Sequence, residues 1–461
     1  METCSDNFIA IVGMSARFAG AANLREYWRG ILAARPAIGE IDDPAAERFL
    51  HEDANAFRRL PSLHAGRLGD LWRSASPARN GEEGLSPESV LAGDLAAAAM
   101  KDAGAQGAQG VRRSRIGAYV GNSPSFGPAQ AAWAQHGFVV DQTMEIIRRC
   151  FPHGDADDFE ELRSSLDGAI PEIGSRGARA LMPQAIAASV AESCNIEGPA
   201  FCVDGGDISG AIAIQAGCDA LLAGRVDLAL SGGVQGPVLP QLLMPFARMG
   251  LISRSGALRP FTKKADGTLL GEGGGFVAMK RHADAVRDGD RIYAVVRAVA
   301  TASGGNSRRI EGGYAEALRA VWPPRGQDTG LIDLLEANGA GIPNLDRAEL
   351  KAFCAATADM HPQRDSIALG TVKALVGDCL AAAGLASAIK AAMALYNRVI
   401  PPGLPQAALD AGVDIGGTPF YVPARPRPWI HNDAGSARRA GVSSIALGGT
   451  ASFLVLEQTN R

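Results

Sequence analysis

Carboxylates stand at several points of this chain where a fold could put them to work. Asp207 follows the short apolar run Ala200-Phe201-Cys202-Val203 and the turn Asp204-Gly205-Gly206, and it precedes a long apolar segment. That order reads as a strand, a sharp turn and a helix start. A carboxylate there suits the positive end of the helix dipole and can cap the helix. It is a poor acyl acceptor, since an acyl-aspartate is a labile anhydride. Lys373 precedes Asp378 by five residues, and it could pair either with Asp378 or with Glu272 in Gly271-Glu272-Gly273-Gly274-Gly275. Asn338, in Glu336-Ala337-Asn338-Gly339-Ala340, can donate a hydrogen bond to an oxyanion but cannot shuttle a proton near neutral pH. Should Asp207, Asn338 and Asp378 converge, two carboxylates become available for general acid–base work.

Other chemistries have less support. His51, His64, His136, His153, His282, His361 and His431 are scattered and read as surface or structural residues. Seven cysteines form no CxxC and no metal-ligand spacing, which suits reduced thiols in a cytoplasmic protein. Cys202 is expected in the core, and Cys379, beside Asp378, is the one displaced nucleophile worth weighing. The Gly271–Gly275 run lacks GxGxxG spacing, and no P-loop or metal motif is present, so no cofactor or metal is expected. A net charge of −4 gives no footing for nucleic acid, and Arg112-Arg113-Ser114-Arg115 reads as a solvated loop edge. The first six residues are acidic and lack signal-peptide order. No uninterrupted apolar run reaches membrane-spanning length, so no membrane span is expected.

The elements that must hold these residues alternate. With 461 residues and 47% hydrophobic content the chain can bury a large core. Continuous apolar runs at 8–13, 116–121, 200–203 and 226–230 read as buried strands, the last closed by Gly232-Gly233. Ser86-Pro87 marks a helix start, and the helix runs to Gly104. Further helices are expected over 182–193, after Asp207 to Gly224, and over 379–395. The helix after Asp207 is apolar nearly all round and should be buried. Strands are expected over 271–279 and 292–300, and a closing hairpin over 441–457 turns at Gly448-Gly449. Residues 40–75 read as a surface excursion and 124–180 as mixed, largely helical chain, one option being a cap over a pocket. Alternating strands and helices predict an α/β layered fold. No residue-level repeat is evident.

Several ordered motifs resemble those of the β-ketoacyl synthases. They are Ile9 to Phe18, the segment around Asp207, Asp227 to Val234, Arg259-Pro260-Phe261 with Asp266-Gly267, and Gly271 to Gly275. Lys280 to Ala298 and Pro419 to Val422 with Arg427 to His431 are similar to the forms in polyunsaturated fatty acid, enediyne and iterative polyketide synthases. The resemblance implies a thiolase fold, five layers αβαβα built from two similar halves, here taken as 7–255 and 256–461. It also implies a dimer, with the strand before the nucleophile pairing across the axis.

In that family a Cys and two His residues do the chemistry, the thiolate accepting an acyl chain from a carrier protein and the imidazoles assisting malonyl decarboxylation. By position, Asp207 replaces the Cys, Asn338 the first His and Asp378 the second, and a carboxylate at 378 would repel a malonyl carboxylate. Lys373 is kept. Leu447 replaces a Phe that gates the acyl pocket, with Gly448 and Gly449 keeping the turn. The expectation is a ketosynthase-like protein of fatty acid or polyketide biosynthesis that does not condense. It would be a chain-length-factor-like partner of an active ketosynthase, as a heterodimer or with itself, and would meet an acyl carrier protein. The alternative is an enzyme using Asp207, Asn338 and Asp378 for cyclisation, dehydration or acyl transfer.

Overall fold

The computed structural model describes residues 8–42, 60–75, 86–104, 110–123, 133–170, 175–304, 310–321, 332–360, 362–430 and 437–459. Eleven strands form one ladder: β1 (Ile9–Phe18), β2 (Ile116–Gly121), β3 (Ala200–Val203), β4 (Leu228–Gln235), β5 (Gly273–Arg281), β6 (Ala294–Ser303), β7 (Leu334–Glu336), β8 (Ile367–Gly370), β9 (Phe420–Tyr421), β10 (Arg439–Ile445) and β11 (Thr450–Glu457). Their order is β9-β8-β7-β10-β11-β6-β1-β5-β4-β2-β3.

That order contains the same five-strand pattern twice. β1 pairs antiparallel with β5, β5 antiparallel with β4, β4 parallel with β2, and β2 parallel with β3. β6, β11, β10, β7 and β8 repeat those relations in turn. The two sheets join where Ile9, Ala10 and Ile11 of β1 pair with Val296, Val295 and Ala294 of β6.

The helices complete the layers. α1 (Pro87–Asp102) and α2 (Ala185–Cys194) pack together on one outer face, and α4 (Ile310–Val321) and α5 (Pro343–Thr357) on the other. α3 (Ser209–Leu222) and α6 (Ala383–Asn397) lie between the sheets, touching each other and strands of both halves. This is the αβαβα thiolase architecture. The central helices approach closely because Gly210 lacks a side chain: a Cβ there would stand 2.5 Å from Leu385 Cδ2 and 2.7 Å from the Ala381 carbonyl. The stretch Leu380–Asn397 is long and apolar enough to cross a membrane, yet 89% of it is buried within the protein.

Local signals explain much of this. Ser86 caps α1, its Oγ accepting from Ser89 N at 3.2 Å, with proline at the first helical position. The strands over 116–121 and 200–203 and the closing hairpin stand where the apolar runs place them. Three expectations need correction. Gly232 and Gly233 do not close β4 but lie inside it, because the Phe276 ring of β5 fills the space a Cβ on Gly232 would need, 2.3 Å away. α3 is not buried all round, since Leu222 at its end is exposed. Residues 60–68 are no surface excursion: Leu60, Leu63, Ala65 and Leu68 are buried, the first three against Leu243, Leu269 and Leu270. Within 124–180, helices run over Val140–Cys150, Ala156–Gly168 and Ser175–Ala180. Residues 43–59, the Gly104–Gly110 loop from 105 to 109, and His51, His361 and His431 lie outside the described residues, as does the His136 side chain.

Candidate functional site

Both central helices begin at the same end of the layer, and the expected residues gather there. Asp207 lies two residues before α3. Its half-buried carboxyl does not cap that helix. Ser209 takes the turn instead, its Oγ accepting from Gly205 N at 2.9 Å and donating to Gly206 O at 2.6 Å, and the first helical turn has no side-chain cap. The Asp207 carboxyl reaches across to the second half, where the Leu447 N–H donates to it. Burial, and then the nearby Asp378 charge, push it up to about 7, against the pull of Lys373 and that N–H.

Asp378 and Lys373 are supplied by the bend between β8 and α6. One helical turn, Lys373–Val376, ends at Gly377 with φ +84. Asp378 is then pinned by its backbone, its N–H donating to Leu269 O at 2.7 Å and its carbonyl accepting from Gly271 N at 2.8 Å. Lys373 Nζ donates to Asp378 Oδ2 at 2.8 Å and to Asn338 Oδ1 at 3.0 Å. Both charged residues are nearly inaccessible, 3% and 4% exposed. Burial lowers the Lys373 ammonium, but Asp378 and Asp207 outweigh it and raise it above its ordinary value. Of the two partners open to Lys373, Asp378 is the one it takes.

Asn338 is held on both sides. Its Oδ1 accepts from Ile445 N at 3.2 Å as well as from Lys373, and its own N–H donates to Glu349 Oε1 at 2.8 Å. Glu349 also accepts from Gly339 N at 3.0 Å and from Ser443 Oγ at 2.6 Å, which ties β10 to the turn after β7. Burial raises its carboxyl above the usual range. Behind it, Lys390 of α6 pairs with Glu336 at 2.6 Å in a fully buried contact. Leu447, Gly448 and Gly449 form the turn between β10 and β11, closed by Gly449 N to Ala446 O at 2.9 Å, with Gly449 at φ +86.

Glu272 is not among these side chains. Its carboxylate is fully buried and accepts from Leu68 N at 2.7 Å, Trp72 Nε1 at 2.8 Å and Val238 N at 2.8 Å. It anchors the 60–75 segment to the start of β5. Cys379 is also buried, facing backbone carbonyls of Glu272, Val376 and Gly377, and burial followed by the Asp378 charge raises its thiol well above the usual value. That environment opposes the thiolate a displaced nucleophile needs. Cys202 is half-buried on β3 rather than in the core, because β3 is the last strand of the ladder. His64 sits on a short ribbon strand, His153 is exposed and His282 opens the helix after β5. Among the described residues no cluster of His, Cys, Asp and Glu could hold a metal.

Glu349, Glu336 and Lys390 were not singled out from the sequence. The spacing of Asp346 and Glu349, three apart and just after Gly339 and Gly341, was a usable signal, as was a lone lysine in the Ala-rich 383–397 stretch. The centre is thus a buried, hydrogen-bonded set of amide, ammonium and one carboxyl, with the half-buried Asp207 carboxyl within reach of their charge and poised to exchange a proton near neutrality.

Comparison with known proteins agrees with this architecture. The β-ketoacyl synthase N-terminal domain model matches residues 6–285 and the C-terminal domain model residues 293–406. A phenolphthiocerol/phthiocerol polyketide synthase chain of Mycobacterium tuberculosis is 30% identical over 98% of this chain, which spans 27% of that protein. A polyunsaturated fatty acid synthase chain of Thraustochytrium is 28% identical over 98% of this chain, which spans 16% of it. Among solved structures, an oxazolomycin ketosynthase domain from Streptomyces albus superposes with a TM-score of 0.77 at 25% identity, covering 98% of this chain and 76% of that one. The PfaC ketosynthase–chain-length factor superposes at 0.78 and 23% identity, covering 98% of this chain and 48% of that one. With both domain models matched in order and the doubled sheet shared with solved ketosynthases, the chain belongs to the β-ketoacyl synthase family.

Proposed function

We propose that this chain has lost condensing activity and serves as a chain-length-factor-like partner of an active ketosynthase in fatty acid or polyketide biosynthesis. The observation that carries this reading is the Asp207–Asp378–Lys373–Asn338 set. No thiol stands at the start of α3 and no imidazole at 338 or 378. The groups present cannot hold a stable thioester, and Lys373 is already committed to Asp378 and Asn338. A partner would share the product tunnel and the acyl carrier protein. β3, one of the two edges of the ladder, supports pairing: it leaves its outer backbone groups open and its Phe201 is 42% exposed.

The test is reconstitution. The purified chain alone should neither decarboxylate malonyl-carrier protein nor extend an acyl chain, and it should co-purify with a ketosynthase encoded beside it and change that enzyme's product length. Malonyl decarboxylation by the pure chain would overturn the proposal.

A second reading is favoured by one feature, the Asp207 carboxyl brought to about 7. Such a group could act as general acid or base on a carrier-bound acyl substrate, in cyclisation, dehydration or acyl transfer. In that case the isolated chain would turn over such a substrate, and Asp207→Asn would abolish it.

A further inference from the structure

Away from the reaction centre, the second half holds a cavity of about 410 Å³ between the 261–265 loop, one face of α5 and the turn at Gly416-Gly417. Small-molecule sites span roughly 300–1,000 Å³. None of Asp207, Asn338, Lys373, Asp378 or Leu447 lines it. Its α5 wall is a stripe at i, i+3, i+4 spacing from Pro343 to Cys354, so a single helix face looks into the space.

That stripe is amphipathic along its length. Leu350 and the Phe261 ring supply an apolar wall. Arg347 and Lys351, one helical turn apart and both exposed, make no ion pair among the described residues. Two carboxyls also face the cavity. Asp414 is exposed on the opposite wall and offsets one of the two cations. Asp346 is buried, with its oxygens accepting from Phe261 N at 2.9 Å and Gly341 N at 3.2 Å, and burial brings it up to about 7, so it repels an anion weakly near neutrality. A net positive rim over a hollow with one apolar wall is a complementary surface for one class of ligand.

We propose that this cavity binds a small amphipathic monoanion, its apolar body against Phe261 and Leu350 and its carboxylate or phosphate on Arg347 and Lys351. The site stands whether or not the chain condenses. Its position links it to the centre: Phe261 has φ +58, and a Cβ on Gly339 would meet the Phe261 ring at 2.9 Å, so the ring fills the space between the cavity and the turn carrying Asn338.

The experiment uses the full chain, with decanoate and decyl phosphate as probes and decanol as the uncharged control, followed by calorimetry. Decanoate or decyl phosphate should bind, and the stronger of the two identifies the head group. Decanol should bind at least about tenfold more weakly, and the double variant R347A/K351A should lose at least about tenfold in affinity for the anion. Lys351→Glu should weaken it further than Lys351→Ala, a check that needs only one exposed substitution. The bound anion should also slow alkylation of Cys354, whose half-buried thiol lines the cavity. Binding that survives both substitutions, or that leaves Cys354 alkylation unchanged, places the ligand elsewhere and overturns the proposal, as does failure of both anions to bind.

Discussion

Asp207 faces opposing influences at one carboxyl: burial and Asp378 favour its neutral form, Lys373 and the Leu447 N–H its charge. The first pair wins, so the folded-state value stands above the unfolded one of 3.8. The sign follows from that. The stabilising contribution is complete below the unfolded value and is lost as pH rises through about 7. Asp207→Asn removes the group that must ionise, so it should raise the stability of the protein at pH 8 by roughly 1–2 kcal/mol, a figure reduced for the partial exposure of the site. At pH 4, close to the unfolded value, the gain should shrink toward zero, and thermal melts at both pH values check this. Lys373 was readable as a partner of either Asp378 or Glu272, and the fold selects Asp378. Glu349 and Lys390 left only the hint of their spacing, because the docking of α5 and α6 against β7 and β10 decides which charged side chains end up inside.

Glu272 shows how an element is held by a single side chain. Three donors from two separate segments converge on its carboxylate, in a place no water reaches. Glu272→Ala leaves those donors unsatisfied at ~1–3 kcal/mol each as an upper range. We expect a loss of about 3 kcal/mol or more, with residues 60–75 gaining amide exchange first, read by hydrogen–deuterium exchange; uniform destabilisation without that local opening would contradict the role. Strands built from unbroken apolar runs, such as β2 and β3, were legible because no other element suits so short a run. β4 was misread at its glycines. A glycine pair usually signals a turn, whereas here Gly232 makes room for an aromatic ring on the neighbouring strand, more than forty positions away in the chain, and Gly233 for the Ala381 carbonyl.

The doubled strand order was invisible in the residues, since topology repeats here without any repeat of side chains. Alternating strands and helices gave an α/β layered fold, and similarity to a known family gave its five layers and two halves. At this scale the free edge at β3 is the feature to probe. Phe201→Asp puts a charge on the exposed face of the last strand, where Phe201 also packs edge-on against Tyr119 with ring centroids 5.1 Å apart. The pairing proposed above predicts that sedimentation velocity shows association of the wild type and its loss in this variant, while the monomer keeps its secondary structure. A variant that associates as before would remove β3 from the interface.

Asp207 hangs from the first sheet's helix, whereas Asn338, Lys373 and Asp378 all belong to the second. Sliding one half past the other by even a fraction of an ångström would therefore retune the acidity of Asp207, and a titration of that one group measures how the two halves are aligned.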